Sequence, residues 1–360
     1  PIQKRALTAS NIKKMNITEA KQALNKVIDK ARVHFYKPIQ IAEILYRDRV
    51  EGNIDLSELE TYRNPSKKWR DIICFQFLGR VSTSSARYQD DIFNENAMPP
   101  ALLSILGQEN RDTKGGIEAY IYKRFFHRFS QMSLGLDYCQ THDKSCFQLD
   151  IFLSLFWKEP GLRRSIDKIY EIVVYALFSA LVEELEVSIE ISMNPEKSVI
   201  LQEFEDFAKS VIQLTPEQTT VTLKARINRV GVTNAADRGL DMWANFGLAI
   251  QIKHLSLTEE LAENIVSSIS ADRIVIVCKD TEKKIILSLL NQMGWKSKIQ
   301  SIVTESDLLR WYEKALRGQF SNSIGESVLK KLVTEIKVEF PTTDKAEFLH
   351  FIENRGYDKL

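Results

Sequence analysis

The sequence predicts an α/β protein with a central mixed sheet flanked by helices over residues 160–360. A mostly helical region over residues 1–159 precedes it. Three observations carry this reading. From Arg164 onward, helical and strand periodicities alternate, which is the order of an α/β core. Two short apolar stretches, Gly239–Trp243 and Ala249–Lys253, flank Asn245-Phe246-Gly247, whose turn chemistry predicts a β-hairpin. Before Pro160-Gly161, by contrast, the apolar residues recur at helical spacing.

In the first part, Thr18 to Val33 reads as an amphipathic helix capped by Thr18, with Ala20, Leu24, Val27 and Ile28 on one side. Pro38 opens a second helix through Ile41, Ile44 and Leu45. Gly52-Asn53 breaks it, and Asp55 or Ser57 starts a third. Two short helices about a glycine-containing turn fit a helix-turn-helix reader, and a plain helical bundle accounts for the same pattern. Tyr62 to Arg70 interleaves basic residues with aromatics and a proline. That mixture suits phosphate contact, and an exposed turn shares the composition.

Residues 80–100, RVSTSSARYQDDIFNENAMPP, are polar and aperiodic, which predicts a long loop. Its side chains match base edges: Arg with guanine, Gln and Asn with adenine, Asp with the cytosine amine. Gly115-Gly116 ends a possible helix, and Ile117 to Met132 forms another. Tyr120, Tyr122, Phe125 and Phe126 recur there at helical spacing, as core residues do. Cys139, His142 and Cys146 lie close together without an obvious fourth zinc ligand, so free thiols beside a surface loop are expected.

Arg164 to Glu186 is the clearest helix, apolar over much of its surface. Glu171 is its isolated acid, and a buried carboxylate needs a partner such as a metal. Val187 to Ile191 alternates as a strand, and Asn194-Pro195 leads into an amphipathic helix ending near Leu214. Thr219 to Val230 alternates as a further strand, and Asn228 to Arg238 is a polar loop before the hairpin. Beyond the hairpin, Thr258 caps a helix through Ile269 and Arg273 to Cys278 is a buried strand. Glu282 to Met293 is helical, Ile299 to Val303 a strand, and Asp307 to Leu316 helical. Residues 321–338 and 344–354 supply two more helices.

With 360 residues, the chain can bury a large core in one extended domain or two. No apolar run is long enough for a membrane span and no signal peptide opens the chain, although Met15 is a possible natural start. Four scattered cysteines fit a reduced cytoplasmic setting. The net charge is only +1, but residues 1–89 hold seventeen Lys/Arg against nine Asp/Glu, leaving the remainder acidic. A basic first quarter can face phosphates, and a solvated mixed-charge surface gives the same count.

The hairpin carries the chemistry. Successive strand residues point to opposite faces, so Gln251 and Lys253 share one face, and a hairpin brings Asp241 beside them. Asp241 and the Gln251 carbonyl are hard oxygen ligands suited to Mg²⁺. Such an ion stabilises charge on a phosphate and acidifies water, which Lys253 would orient or help deprotonate. The spacing resembles the PD-(D/E)xK nuclease motif, with Asp241 as the first acid and Gln251-Ile252-Lys253 as the second half. Gln251 stands where that pattern has an acid, and Ala236-Asp237 replaces Pro-Asp. A neutral ligand weakens the electrostatic hold on a cation. A half-buried hairpin with a snorkelling lysine is the bland alternative.

Four stretches carry a longer resemblance: RNPSKKWRD (63–71), GRVSTSSARYQDDIFNENAMPP (79–100), EPGLRRSIDKIYEIVVYALF (159–178) and GLDMWANFGLAIQIKH (239–254). Together they resemble the HaeII family of type II restriction endonucleases, from about Asn16 onward. The resemblance implies a restriction-endonuclease-like core in the second half and a DNA-recognition region in the first. It implies Mg²⁺-dependent cleavage of double-stranded DNA at a palindrome, purine-GCGC-pyrimidine. Asp241, Gln251 and Lys253 take the family's catalytic positions, with Glu171 joining through its place on the helix before the strands. Asp241, Gln251 and Glu171 would hold the metal.

Lys67, Lys68, Arg70, Arg80, Arg87, Gln89, Asp90, Asn228, Arg229, Asn234 and Arg238 are the expected DNA contacts. A homodimer, a cytoplasmic setting without membrane contact, and a DNA methyltransferase as functional counterpart are further expectations. Two other readings use the same core. A structure-specific repair or junction nuclease would favour DNA shape over sequence, and a non-catalytic DNA-binding protein with a decayed site would explain Gln251.

Overall fold

In a computed structural model of the chain, the described residues are 16–31, 34–158, 165–230, 240–253, 273–292, 299–340 and 345–360. The helices of the first part are α1 (Ile17–Lys30), α2 (Tyr36–Glu51), α3 (Pro65–Leu78), the short α4 (Ala86–Asp90), α5 (Pro100–Asp112), α6 (Gly116–Thr141) and α7 (Leu149–Lys158). Then follow α8 (Ile166–Glu184), β1 (Ser188–Ser192), α9 (Ser198–Glu203), β2 (Thr220–Lys224), β3 (Ile227–Arg229), β4 (Met242–Ala244), β5 (Leu248–Lys253) and β6 (Arg273–Cys278). The chain closes with α10 (Lys283–Gln292), β7 (Ile299–Thr304), α11 (Glu305–Arg317), α12 (Glu326–Glu339) and α13 (Lys345–Asn354). The expected α/β class with a central mixed sheet is observed.

Two compact units divide the chain: Pro1–Asp137 with Leu155–Ser165 and Lys337–Leu360, and Tyr138–Ser154 with Ile166–Ile336. In the first, α1 buries Ala20, Leu24, Val27 and Ile28, the stripe read from sequence. Its cap is Asn16, not Thr18: the Asn16 side-chain oxygen accepts from the Glu19 amide at 2.9 Å, so the helix starts earlier. α2 likewise starts before Pro38, which sits in the first turn where its missing N–H costs nothing. Gly52 closes α2 at φ 64, a left-handed conformation that suits glycine.

Three expectations fail in this unit. The third helix expected from Asp55 or Ser57 is only a short turn, Leu59–Thr61. The stretch Tyr62–Arg70 is not an exposed turn: Pro65 starts α3, which buries Arg70, Ile73, Cys74, Phe77 and Leu78. Nor are residues 80–100 a structureless loop. Ser85 caps α4 through the Tyr88 amide, and Ile92, Phe93 and Met98 enter the helical core. Three apolar residues spaced through a polar stretch were enough to fold it down. Of the four aromatics expected in the core of α6, Tyr122 and Phe125 are buried and Phe126 is partly so, whereas Tyr120 is exposed and donates to Asn25 at 2.7 Å. The C-terminal segment belongs to the same core through Phe348, Phe351, Ile352 and Tyr357. Arg355 fixes it there by donating to both Glu43 oxygens, at 2.6 and 3.1 Å.

The second unit holds a five-stranded sheet in the order β3-β4-β5-β6-β7. The β3/β4 and β4/β5 pairs are antiparallel, and β5/β6 and β6/β7 are parallel. Ile274 to Cys278 of β6 are all buried, as a parallel strand covered on both faces requires. α8 packs on β3 and β5, and α11 packs on β7 and α8. The Tyr312 hydroxyl of α11 donates to the Val173 carbonyl of α8 at 2.8 Å.

The expected single strand from Thr219 to Val230 is instead two strands in two sheets. β2 pairs with β1 in a separate ribbon, whereas β3 pairs with β4. Asn245 in the hairpin turn makes the break: its side chain accepts from the Arg226 amide at 2.8 Å and donates to the Lys224 carbonyl at 2.9 Å. The helix expected to run to Leu214 is also interrupted, at Phe204, and continues as Glu205–Phe207 and a wider turn over Ala208–Ile212. The helix expected over Thr258–Ile269 lies outside the described residues.

Candidate active site

The predicted hairpin forms. Met242 pairs with Ile250 and Ala244 with Leu248, with Gly247 at φ 80 in the turn between them. This register sets Asp241, one residue before β4, beside residues 251 and 252 of β5. One Asp241 carboxylate oxygen accepts from the Gln251 side-chain amide at 2.6 Å and from the Ile252 backbone amide at 2.7 Å. Gln251 is 2% exposed, and its side-chain carbonyl oxygen accepts no hydrogen bond among the described residues. A buried acceptor without a donor costs about 1–3 kcal/mol. The amide nitrogen is thus spent on Asp241, while the carbonyl is left available to a cation. Lys253 ends β5, paired with Cys278 of β6.

Glu171 comes from α8, which packs on β3 and β5. Its carboxylate is buried, and both oxygens accept from Lys168 Nζ at 2.7 Å. Arg229 of β3 lies 3.9 Å from the same carboxylate and holds Glu335 of α12 at 3.0 Å. Burial pushes the Glu171 carboxyl up to about 7; Lys168 and Arg229 pull it down, and the Asp241 charge adds to the rise. Two carboxylates and an orphan carbonyl near one another make a hard-oxygen donor set that fits Mg²⁺. No group of three or more His, Cys, Asp or Glu suited to a metal occurs among the described residues, and one of the three donors here is an amide.

Lys168, Arg229 and Glu335 are site residues that sequence reasoning missed in this role. Lys168 had a readable signal, since residues three apart on a helix are neighbours. Arg229 and Glu335 had none, because a strand and a distant helix bring them together only in the fold. Cys139 is buried in α6 and Cys146 is exposed, both as free thiols, and His142 stacks on Tyr138.

The expected DNA contacts divide sharply. Lys68 and Arg87 are exposed. Arg70 is only 2% exposed and donates to Gln40, Asp71 and Gln89. Lys67 holds Asp90 at 2.7 Å, and Gln89 also donates to the Ser84 carbonyl at 2.6 Å. Arg80 donates to the Val338 carbonyl, Asn228 sits half-buried in β3, and Arg229 is committed to Glu335. Asn234 and Arg238 lie outside the described residues.

The HaeII restriction endonuclease family matches residues 20–357. "Type II restriction enzyme HaeII" of Haemophilus aegyptius is 64% identical over 344 residues, covering 96% of this chain and 98% of that relative. "Type II restriction enzyme NgoBI" of Neisseria gonorrhoeae is 62% identical over 341 residues, covering 94% and 97%. No solved structure matches. The chain belongs to the HaeII restriction endonuclease family and is a type II restriction endonuclease, a site-specific deoxyribonuclease.

Proposed function

We propose that the chain cuts both strands of DNA at the palindrome purine-GCGC-pyrimidine, with Asp241, Gln251 and Glu171 holding Mg²⁺ and Lys253 acting on the attacking water. The observation that carries the metal assignment is the buried, unpartnered Gln251 carbonyl beside the Asp241 carboxylate. When bound there, the ion would stabilise developing charge on the scissile phosphate and lower the pKa of water. The chain's own residues do the rest. The Ile252 amide fixes Asp241, Gln251 is oriented by its donated hydrogen bond, and Lys168 and Arg229 hold Glu171 from two elements. Lys253 would orient the nucleophile and add positive charge near the phosphate.

The palindrome assignment rests on the family resemblance carried by residues 63–71, 79–100, 159–178 and 239–254. Lys68 and Arg87 are the expected contacts best suited to phosphate, because they are exposed. Arg70, Lys67, Gln89 and Asp90 would instead brace α3 against α4. We further propose a homodimer, since a palindrome presents one half-site to each copy. A cytoplasmic setting and a methyltransferase protecting the same sequence complete the reading. No helix among the described residues is long and apolar enough to cross a membrane.

The test is incubation of plasmid DNA with the enzyme and Mg²⁺, followed by sequencing of the fragment ends. Ends within purine-GCGC-pyrimidine support the reading, and ends at another fixed sequence replace it. Cutting confined to junctions or damaged DNA would return the assignment to a structure-specific nuclease.

A further inference from the structure

The segment from β1 to β2 has no part in the five-stranded sheet. The two strands pair only with each other, and the interrupted helix between them buries just Leu201, Ala208 and Leu214 against Ile191, Met193 and Val221. That leaves an apolar face outward. Ile200, Phe204, Phe207 and Val211 recur three to four residues apart and are 54, 53, 56 and 63% exposed. Val199 and Ile212 extend the face at 71 and 40%. Along this interrupted helix these large apolar side chains face water where a core would normally take them. The six residues expose on the order of 600 Å² per copy, at the upper end of a monomer's largest apolar patch and approaching the roughly 800 Å² per partner of a standard interface.

Charge decides against DNA as the occupant. Residues 183–212 hold eight Asp/Glu and two Lys, so phosphates would be repelled. The four stripe residues are themselves uncharged, which leaves the acids to a wet rim. Two copies related by a two-fold axis would lay one stripe against the other, each satisfying the other's need for cover.

We propose that this arm, centred on Phe204 and Phe207, is the surface through which two copies of the chain associate. Choosing a second copy as the occupant rests on the palindrome reading, which calls for two hairpin sites per cleavage event. The rim acids make association strengthen as salt screens them, opposite to the salt response of DNA binding.

Sedimentation velocity without DNA, over a range of protein concentrations and two salt concentrations, tests this. The wild-type chain should sediment as a dimer, more firmly at the higher salt. Phe204→Glu/Phe207→Glu should raise the dimer dissociation constant at least ~100-fold, as two central aromatic anchors would. Both side chains are more than half exposed, so the variant should keep its circular dichroism and melting temperature. Phe207→Cys in a Cys146→Ser background, oxidised, should yield a disulfide-linked pair, or Phe204→Cys should, according to which lies nearer the axis. A doubly substituted variant that remains dimeric, with neither cysteine variant cross-linking, overturns the assignment of the surface. A wild-type chain that stays monomeric even on cognate duplex overturns association itself. Plasmid cleavage by the wild type, scored separately, shows whether the nuclease reading stands in either case.

Discussion

Gln251 is the residue on which the site turns. In the position where an acid is usual, it neutralises nothing, yet its amide does what a second carboxylate could not: it donates to Asp241 at 2.6 Å. Two carboxylates there would repel, so the glutamine orients the acid and still presents one carbonyl. Asp241→Asn keeps an acceptor for the Ile252 amide and removes the charge. Cleavage should fall at least ~10³-fold while metal-free DNA binding holds or tightens, measured by plasmid digestion against gel shift. Gln251→Glu removes the donated hydrogen bond and sets two anions together; activity should persist in part with altered metal preference, read by titrating Mg²⁺ and Mn²⁺. Glu171 offers a pH test. Its folded pKa, near 7, lies above its unfolded value, so the folded state binds the extra proton and stability falls as pH rises from about 4.5 to 7. In chelator, urea unfolding of Glu171→Gln should lack that decline, worth about 3 kcal/mol in the wild type. Parallel pH profiles of the two proteins would refute the assignment of this proton to Glu171.

At the scale of elements, the hairpin works because its turn is braced from outside. Asn245 ties the turn to Lys224 and Arg226, the point where the chain leaves one sheet for the other. α11 shows a simpler device: Thr304 and Asp307 cap it reciprocally, with the Asp307 carboxylate accepting from the Thr304 amide at 3.0 Å. Those bonds hold the Asp307 carboxyl below the usual range, so its contribution is present at neutral pH and is lost as pH falls through that lowered pKa. Asp307→Ala should cost about 1 kcal/mol at pH 7 and progressively less as acid protonates the wild-type carboxylate, by chemical denaturation. α3 carries an equivalent lesson for binding. Its sequence advertises phosphate contact, but its Arg70 is an internal strut, and Arg70→Ala should lower stability for every substrate alike.

For the whole molecule, charge divides unevenly along the chain, a basic first quarter preceding an acidic remainder. Lys68→Ala and Arg87→Ala should weaken binding to cognate and random DNA equally, each lowering the salt slope by about one. A loss confined to cognate DNA would make either residue a base reader. The division into two units follows neither charge nor a single cut: Lys337–Leu360 packs with the first unit, tied down by Arg355 on Glu43. C-terminal truncation before Lys345 should therefore destabilise the helical unit, seen as lost protection of α2 and α6 in hydrogen exchange.

The α/β class, the helices beginning near residues 17 and 36, the hairpin and the pairing of Asp241 with residue 251 are legible in the sequence, whereas α3, α4 and α7 are not. The legible features follow from local rules: period 3.6 against period 2, a turn at Asn245–Gly247, and the alternation of faces along one strand. Glu171 was legible as well, as a lone acid in an apolar helix. Which polar residues are spoken for emerges only in the fold. Whether Arg70 and Lys67 face solvent, whether Arg229 is joined to Glu335, and whether a polar loop folds onto three apolar residues depend on partners far away in sequence. The reason is physical: periodicity records which side of an element is buried, whereas ion pairs and hydrogen bonds depend on what the fold brings within about 3 Å.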